Sequence, residues 1–217
     1  MSLQTLRRFG RDGRGIAIVE FALILPLLIT LSAVTFDLVR YVIYMRKVEL
    51  AASTLADLVA RNDTGKITQT DILAISRSQL VMFPEAMSAA KDANVSVWTL
   101  LKWSLSGVQF TQTVPSCTAN CTYTPKVTWT SGQKRSCTTP PVPAPNTAGP
   151  SPTTLPSDTF GPGFLVVADV VFSYRPLILQ SVVGPIDIAK SFYFAPRYVT
   201  AITFDPSGGI NSANACP

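Results

Sequence analysis

The sequence predicts an α+β fold: a single N-terminal transmembrane helix continues as a long amphipathic helix and packs on a small antiparallel-sheet head. Three observations predict it. Residues 16–36 form an apolar run preceded by arginines. Apolar side chains then recur at steps of three and four as far as Val59. After one further helical segment come runs rich in β-branched and aromatic residues, joined by loops rather than helices, which favours an antiparallel sheet.

The leader comes first, residues 1–15. The chain has 217 residues and a formal charge of +5. Arg7, Arg8, Arg11 and Arg14 precede the apolar run, opposed only by Asp12; the remainder carries 14 basic and 12 acidic side chains. The basicity therefore belongs to the leader. A nucleic-acid binder needs a basic face on its folded part, so that class is excluded as a partner. There is no histidine, which removes the commonest general base and metal ligand and lowers the prior for an enzyme. No cofactor is called for.

Residues 16–36 read IAIVEFALILPLLITLSAVTF. As a helix they span about 32 Å, which matches a hydrocarbon core of about 30 Å. The positive-inside rule puts the leader in the cytoplasm and the rest outside. An ordinary secretory signal is shorter, with a small-residue cleavage site behind it. A plain anchor explains the length but not Glu20, because a carboxylate in lipid costs ~2.5–3.5 kcal/mol on insertion scales and is by default functional. Pro26 removes one helical hydrogen bond, which membrane helices tolerate.

Residues 37–61 continue the helix. Leu38, Val42, Met45, Val48, Ala52, Leu55 and Val59 form one stripe, with Arg40, Arg46, Lys47, Glu49 and Asp57 off it. Asp57 and Arg61 are spaced for an i,i+4 ion pair. The helix ends before Asn62-Asp63-Thr64-Gly65, about 70 Å from its start at 1.5 Å per residue.

The stretch GIAIVEF resembles the processing site of type IV prepilins. The longer run from Gly15 to Ala60 resembles the TadE/TadG-like minor pilins, or pseudopilins, of tight-adherence (Flp) pilus systems. It shares the G-x-A-x-V-E-F-A-L opening, Pro26 six residues after the Glu, Asp37 at the end of the span and an Ala-rich continuation. The resemblance covers about a quarter of the chain. It implies cleavage by a membrane-embedded prepilin peptidase between Gly15 and Ile16. Glycine suits that site, since a backbone without a side chain can approach an active site closely. It also implies that Glu20, followed by Phe21, pairs with the new amine of a neighbouring subunit, which would offset its desolvation. The partners implied are the peptidase, other pilins, inner-membrane assembly proteins and the lipid bilayer. The role implied is initiation or assembly of the pilus, with incorporation into the fibre left open. Two alternatives remain. One is an uncleaved family member; the other is a periplasmic binding protein or enzyme that uses the helix only as a tether.

Residues 62–217 form the head. Thr68 or Thr70 can cap a helix over 71–83, which Pro84 stops. Strand-like runs follow at 94–105, bounded by Gly107, at 126–130, at 163–174 and at 191–204, the last interrupted by Pro196. Trp98, Trp103 and Trp129 read as core or interface anchors. Asp169 reads as outward-facing or paired, and Asp205-Pro-Ser-Gly-Gly as a turn. Residues 111–162 hold ten of the seventeen prolines, and read as an extended surface excursion with little to bury. Three of the four cysteines, Cys117, Cys121 and Cys137, fall inside it and Cys216 lies near the C-terminus. Beyond a membrane segment these favour disulfides over metal ligands or free thiols, with three full pairings open. The expectation is that disulfides, rather than a core, order the excursion.

Overall fold

The computed structural model describes residues 14–133, 135–208 and Cys216. Arg7, Arg8, Arg11 and Asp12 of the leader lie outside the described residues. The chain falls into two compact units. One takes the residues up to Val42 together with Arg175–Pro185, and the other takes Ile43–Tyr174 and the residues from Ile186 onward. The fold is α+β.

Helix α1, Arg14–Ala60, is 47 residues long and contains Pro26. After Gly15 no glycine interrupts it, and its apolar residues are predominantly good helix formers. In the first unit this helix presents apolar side chains outward on all sides. In the second, Val48, Ala51, Ala52, Leu55, Ala56, Val59 and Ala60 are fully buried. The buried stripe is thus shorter than its periodicity predicts: Leu38 and Val42 are 58% and 44% exposed. Period alone cannot tell a face that meets lipid from one that meets protein. At the C-terminus Arg197 donates its backbone N–H to the Ala60 carbonyl at 2.9 Å. Its guanidinium and that of Arg61 both pair with Asp57.

A short strand β1, Lys66–Thr68, leads into α2, Gln69–Met82. Thr68 caps α2 in a reciprocal box: its hydroxyl accepts from the Asp71 N–H, and the Asp71 carboxylate accepts from the Thr68 N–H at 3.0 Å. Pro84 ends α2 as expected but also opens α3, Pro84–Asp92, at its first turn, where a missing N–H costs nothing. Residues 94–105 are not one strand. Val97–Leu100 make a single turn, α4, and strand β2 runs Leu101–Gln112, straight through Gly107. Glycine is needed there by close approach, not by a turn. A Cβ at 107 would lie 2.2 Å from Trp129 Nε1 and 2.5 Å from the Phe164 ring.

Strands β3 (Tyr123–Gly132), β6 (Gly163–Tyr174) and β7 (Ile186–Phe194) complete an antiparallel sheet with β2, in the order β3-β2-β6-β7. The run expected over 191–204 is shifted and divided. β7 ends before Pro196, which has no N–H to donate, and β8 (Thr203–Asp205) pairs in parallel with β1 instead. Asp205 accepts from the Ser207 N–H at 2.9 Å, which makes the expected turn; Gly209 lies outside the described residues. Two further short strands, β4 (Val142–Ala144) and β5 (Thr154–Pro156), pair with each other inside the proline-rich stretch.

Within the second unit both faces of the sheet are covered. On one, the Tyr44, Phe83, Phe172 and Tyr174 rings cluster at centroid distances of 4.7–5.6 Å. On the other, Val108, Phe110, Val127 and Val167 of the sheet pack with Leu155, and Tyr123, Phe160, Leu165, Tyr193 and Cys216 close round them. This corrects the reading of 111–162. The stretch contains β3 and buries Leu155 completely, so a core helps to order it. Its few apolar residues are spaced too irregularly for any period to announce that.

Candidate functional site

Helix α1 is, among the described residues, the one helix long and apolar enough to cross a membrane. Ile18, Val19, Phe21, Leu23, Leu27, Ile29 and Leu31 are all at least 60% exposed, which in water would be a large unfavourable surface. Besides Glu20, the polar side chains of residues 16–36 are three hydroxyls. Each is satisfied by its own helix: Thr30 donates to the Pro26 carbonyl at 2.7 Å, Ser32 to Leu28 and Thr35 to Leu31, both at 2.8 Å. Such back-bonding suits a segment with no water to bond. Glu20 differs. It is exposed beside Phe21 on the helix surface, and no described residue donates to it. Gly15 and Ile16 take helical backbone positions four to five residues earlier, in the first turn.

At the far end of the span Asp37 is 5% exposed. Its carboxylate accepts three consecutive backbone N–H groups from the segment between β6 and β7: Leu177 at 3.0 Å, Ile178 at 3.0 Å and Leu179 at 2.9 Å. Burial pushes the Asp37 pKa up. The three amides, helped by the nearby Arg40 charge, more than reverse that and hold the carboxyl below the ordinary aspartate range. Asp37 is recognisable in sequence as the end of the apolar run, but its partners are not. The available signal was an uncharged aliphatic segment, PLILQSVVGP, between two strands where a polar loop is the norm.

In the head, Asp169 is paired. Arg135, 2% exposed, reaches it through two hydrogen bonds from one guanidinium nitrogen at 2.9 and 3.1 Å, and donates from the other to the Thr154 carbonyl at 3.1 Å. Ser191 also donates to Asp169. Beside the pair lies a cleft of about 310 Å³ lined by Ser104, Gln133, Ser151 and Asp169. The cysteines form two disulfides, Cys117–Cys121 and Cys137–Cys216. Trp129 is a core anchor whose Nε1 donates to the Ile202 carbonyl at 2.7 Å, while Trp98 is 37% exposed. Asp169, Arg135 and the cysteines do not come together with Glu20 or Asp37 within either unit.

No curated protein and no solved structure matches the chain. Residues 15–57 match the family model described as TadE-like protein. That match begins at the glycine of the G-x-A-x-V-E-F opening and covers Glu20, the self-satisfied span and Asp37. Residues 15–57, the greater part of the long apolar helix, are therefore similar to the TadE-like family.

Proposed function

We propose that the chain is a non-enzymatic minor pilin or pseudopilin that takes part in initiating or assembling a tight-adherence pilus. Glu20 carries this reading. Among the described residues nothing donates to it, whereas the hydroxyls of residues 16–36 are satisfied by their own helix, and a partner from another molecule would lower its cost in lipid. Prepilin peptidase would cut between Gly15 and Ile16 on the cytoplasmic side. The new amine of Ile16 on one subunit would pair with Glu20 of the next, fixing their axial register. The head would lie in the periplasm, and its bulk favours a few copies over a repeating shaft. The cleft beside Asp169 favours a second reading, a periplasmic binding protein for which the helix is only a tether.

Replacing Glu20 discriminates. Glu20→Gln should leave membrane insertion intact or improved and reduce co-purification with the other pilins of the system at least tenfold, about 1.4 kcal/mol of lost pairing. Unchanged pilus assembly and adhesion would favour the tether. Intact mass settles processing independently: a chain that begins at Ile16 supports cleavage, and a full-length chain rejects it.

A further inference from the structure

The segment between β6 and β7 is unusual for an exposed loop. From Pro176 to Pro185 it carries no charge. Leu177, Ile178, Val182 and Val183 are 64%, 50%, 81% and 52% exposed. It belongs to the same compact unit as the span, and Asp37, the residue directly after Phe36, ties it to the helix through the three amide hydrogen bonds. Six of its eight backbone N–H groups are bonded. Beyond the amides of Leu177, Ile178 and Leu179, those of Val182 and Val183 donate to the Leu179 carbonyl at 3.0 and 2.9 Å, and Gly184 donates to Gln180 at 3.1 Å. The two prolines that bound it have no N–H to satisfy.

We propose that this loop is a second membrane contact, a wedge that enters the outer-face interface of the bilayer beside the transmembrane helix. The inference rests on the reading of residues 16–36 as a membrane span. Two features favour entry into an apolar medium. The exposed side chains include four aliphatic ones, Leu177, Ile178, Val182 and Val183, and six of the backbone N–H groups that would otherwise hold water are already bonded. Asp37 gains in return. A carboxylate at the hydrocarbon edge is costly alone, and three N–H donors replace its water. Continuity favours lipid over a protein partner. Helix α1 remains apolar and exposed at this level, at Phe36, Leu38 and Val39, so loop and helix extend one aliphatic surface. Arg175, which is exposed, directly precedes the loop in sequence, where a phosphate headgroup would meet it. The anchor would then have two contacts, and the loop would limit rotation of the helix about its own axis.

Tryptophan quenching by brominated lipid tests this on the full chain in phosphatidylcholine vesicles. Phe36→Trp and Val182→Trp are compared with the unsubstituted protein, whose three native tryptophans set the background. Both added signals should be quenched, with Val182→Trp quenched more by bromines near the headgroups than by bromines near the chain ends. Adding Asp37→Ala should lower quenching at Val182→Trp and leave it unchanged at Phe36→Trp. Quenching at Phe36→Trp with none at Val182→Trp would overturn the wedge and leave the span standing. No quenching at Phe36→Trp would reject the span itself and the wedge with it. If Asp37→Ala leaves quenching at Val182→Trp intact, Asp37 does not hold the wedge and its assigned part is wrong.

Discussion

Arg135 arrives from the proline-rich stretch and Asp169 from the middle of β6, 34 positions apart. Their ion pair is almost fully enclosed, with side-chain exposures of 0% and 12%. A charge pair taken this far from water contributes little net stability, but breaking it is expensive because the survivor stays buried. Asp169→Leu should therefore destabilise the head by about 3–5 kcal/mol, read from the shift of its urea unfolding curve followed by tryptophan fluorescence. Combining it with Arg135→Met should recover most of the loss. If the double variant is as unstable as the single one, the Arg135 bond to the Thr154 carbonyl matters more than the ion pair. Asp169 is recognisable in sequence as a residue that needs a partner, because a charged side chain in a β-branched strand is otherwise unfavourable. Its partner is not recognisable, since nothing local distinguishes Arg135 from a solvated arginine.

Strand β2 shows what elements add. Its central glycine resembles a boundary, and a turn is what glycine most often signals. The sheet uses Gly107 differently, as the floor on which Trp129 and Phe164 lie, with the register shift of the β2–β3 pair directly after it. Gly107→Ala should force the indole away, weaken its bond to the Ile202 carbonyl, and cost about 1–3 kcal/mol as an overpacked core does. The tryptophan emission should shift red. A variant with wild-type emission and an unchanged urea midpoint would contradict this role for the glycine. The extents of helix α1 and strand β6 needed no such correction. Their patterns, 3.6-residue in one and β-branched run in the other, depend on neighbours in sequence, and β6 has the bounds its composition predicts.

For the whole molecule, the two disulfides differ in what they constrain. Cys117–Cys121 closes a loop of separation 4, and Cys137–Cys216 one of separation 79. In the chain-entropy account the long closure is worth about 4 kcal/mol and the short one about 2 kcal/mol. Cys137→Ala with Cys216→Ala should therefore lower the urea midpoint of the head more than Cys117→Ala with Cys121→Ala. Non-reducing mass mapping should recover both pairs, and four free thiols would contradict them. Sequence reading left all three pairings open because cysteine spacing carries no information about which distant strands meet.

By itself the sequence determined the basic N-terminal stretch, the apolar run with its one carboxylate, the helix that continues it and the α+β character of the fold. Those are written in local periodicity and composition, where each residue's role depends on others within a few turns. Only the tertiary structure decided that Arg135 finds Asp169, that Leu155 is core, and that Asp37 holds the loop from Leu177 to Leu179. These partners are 34 to 142 positions apart. The free energy that joins them comes from desolvation and hydrogen bonding in the assembled fold, which leaves no periodic trace along the chain.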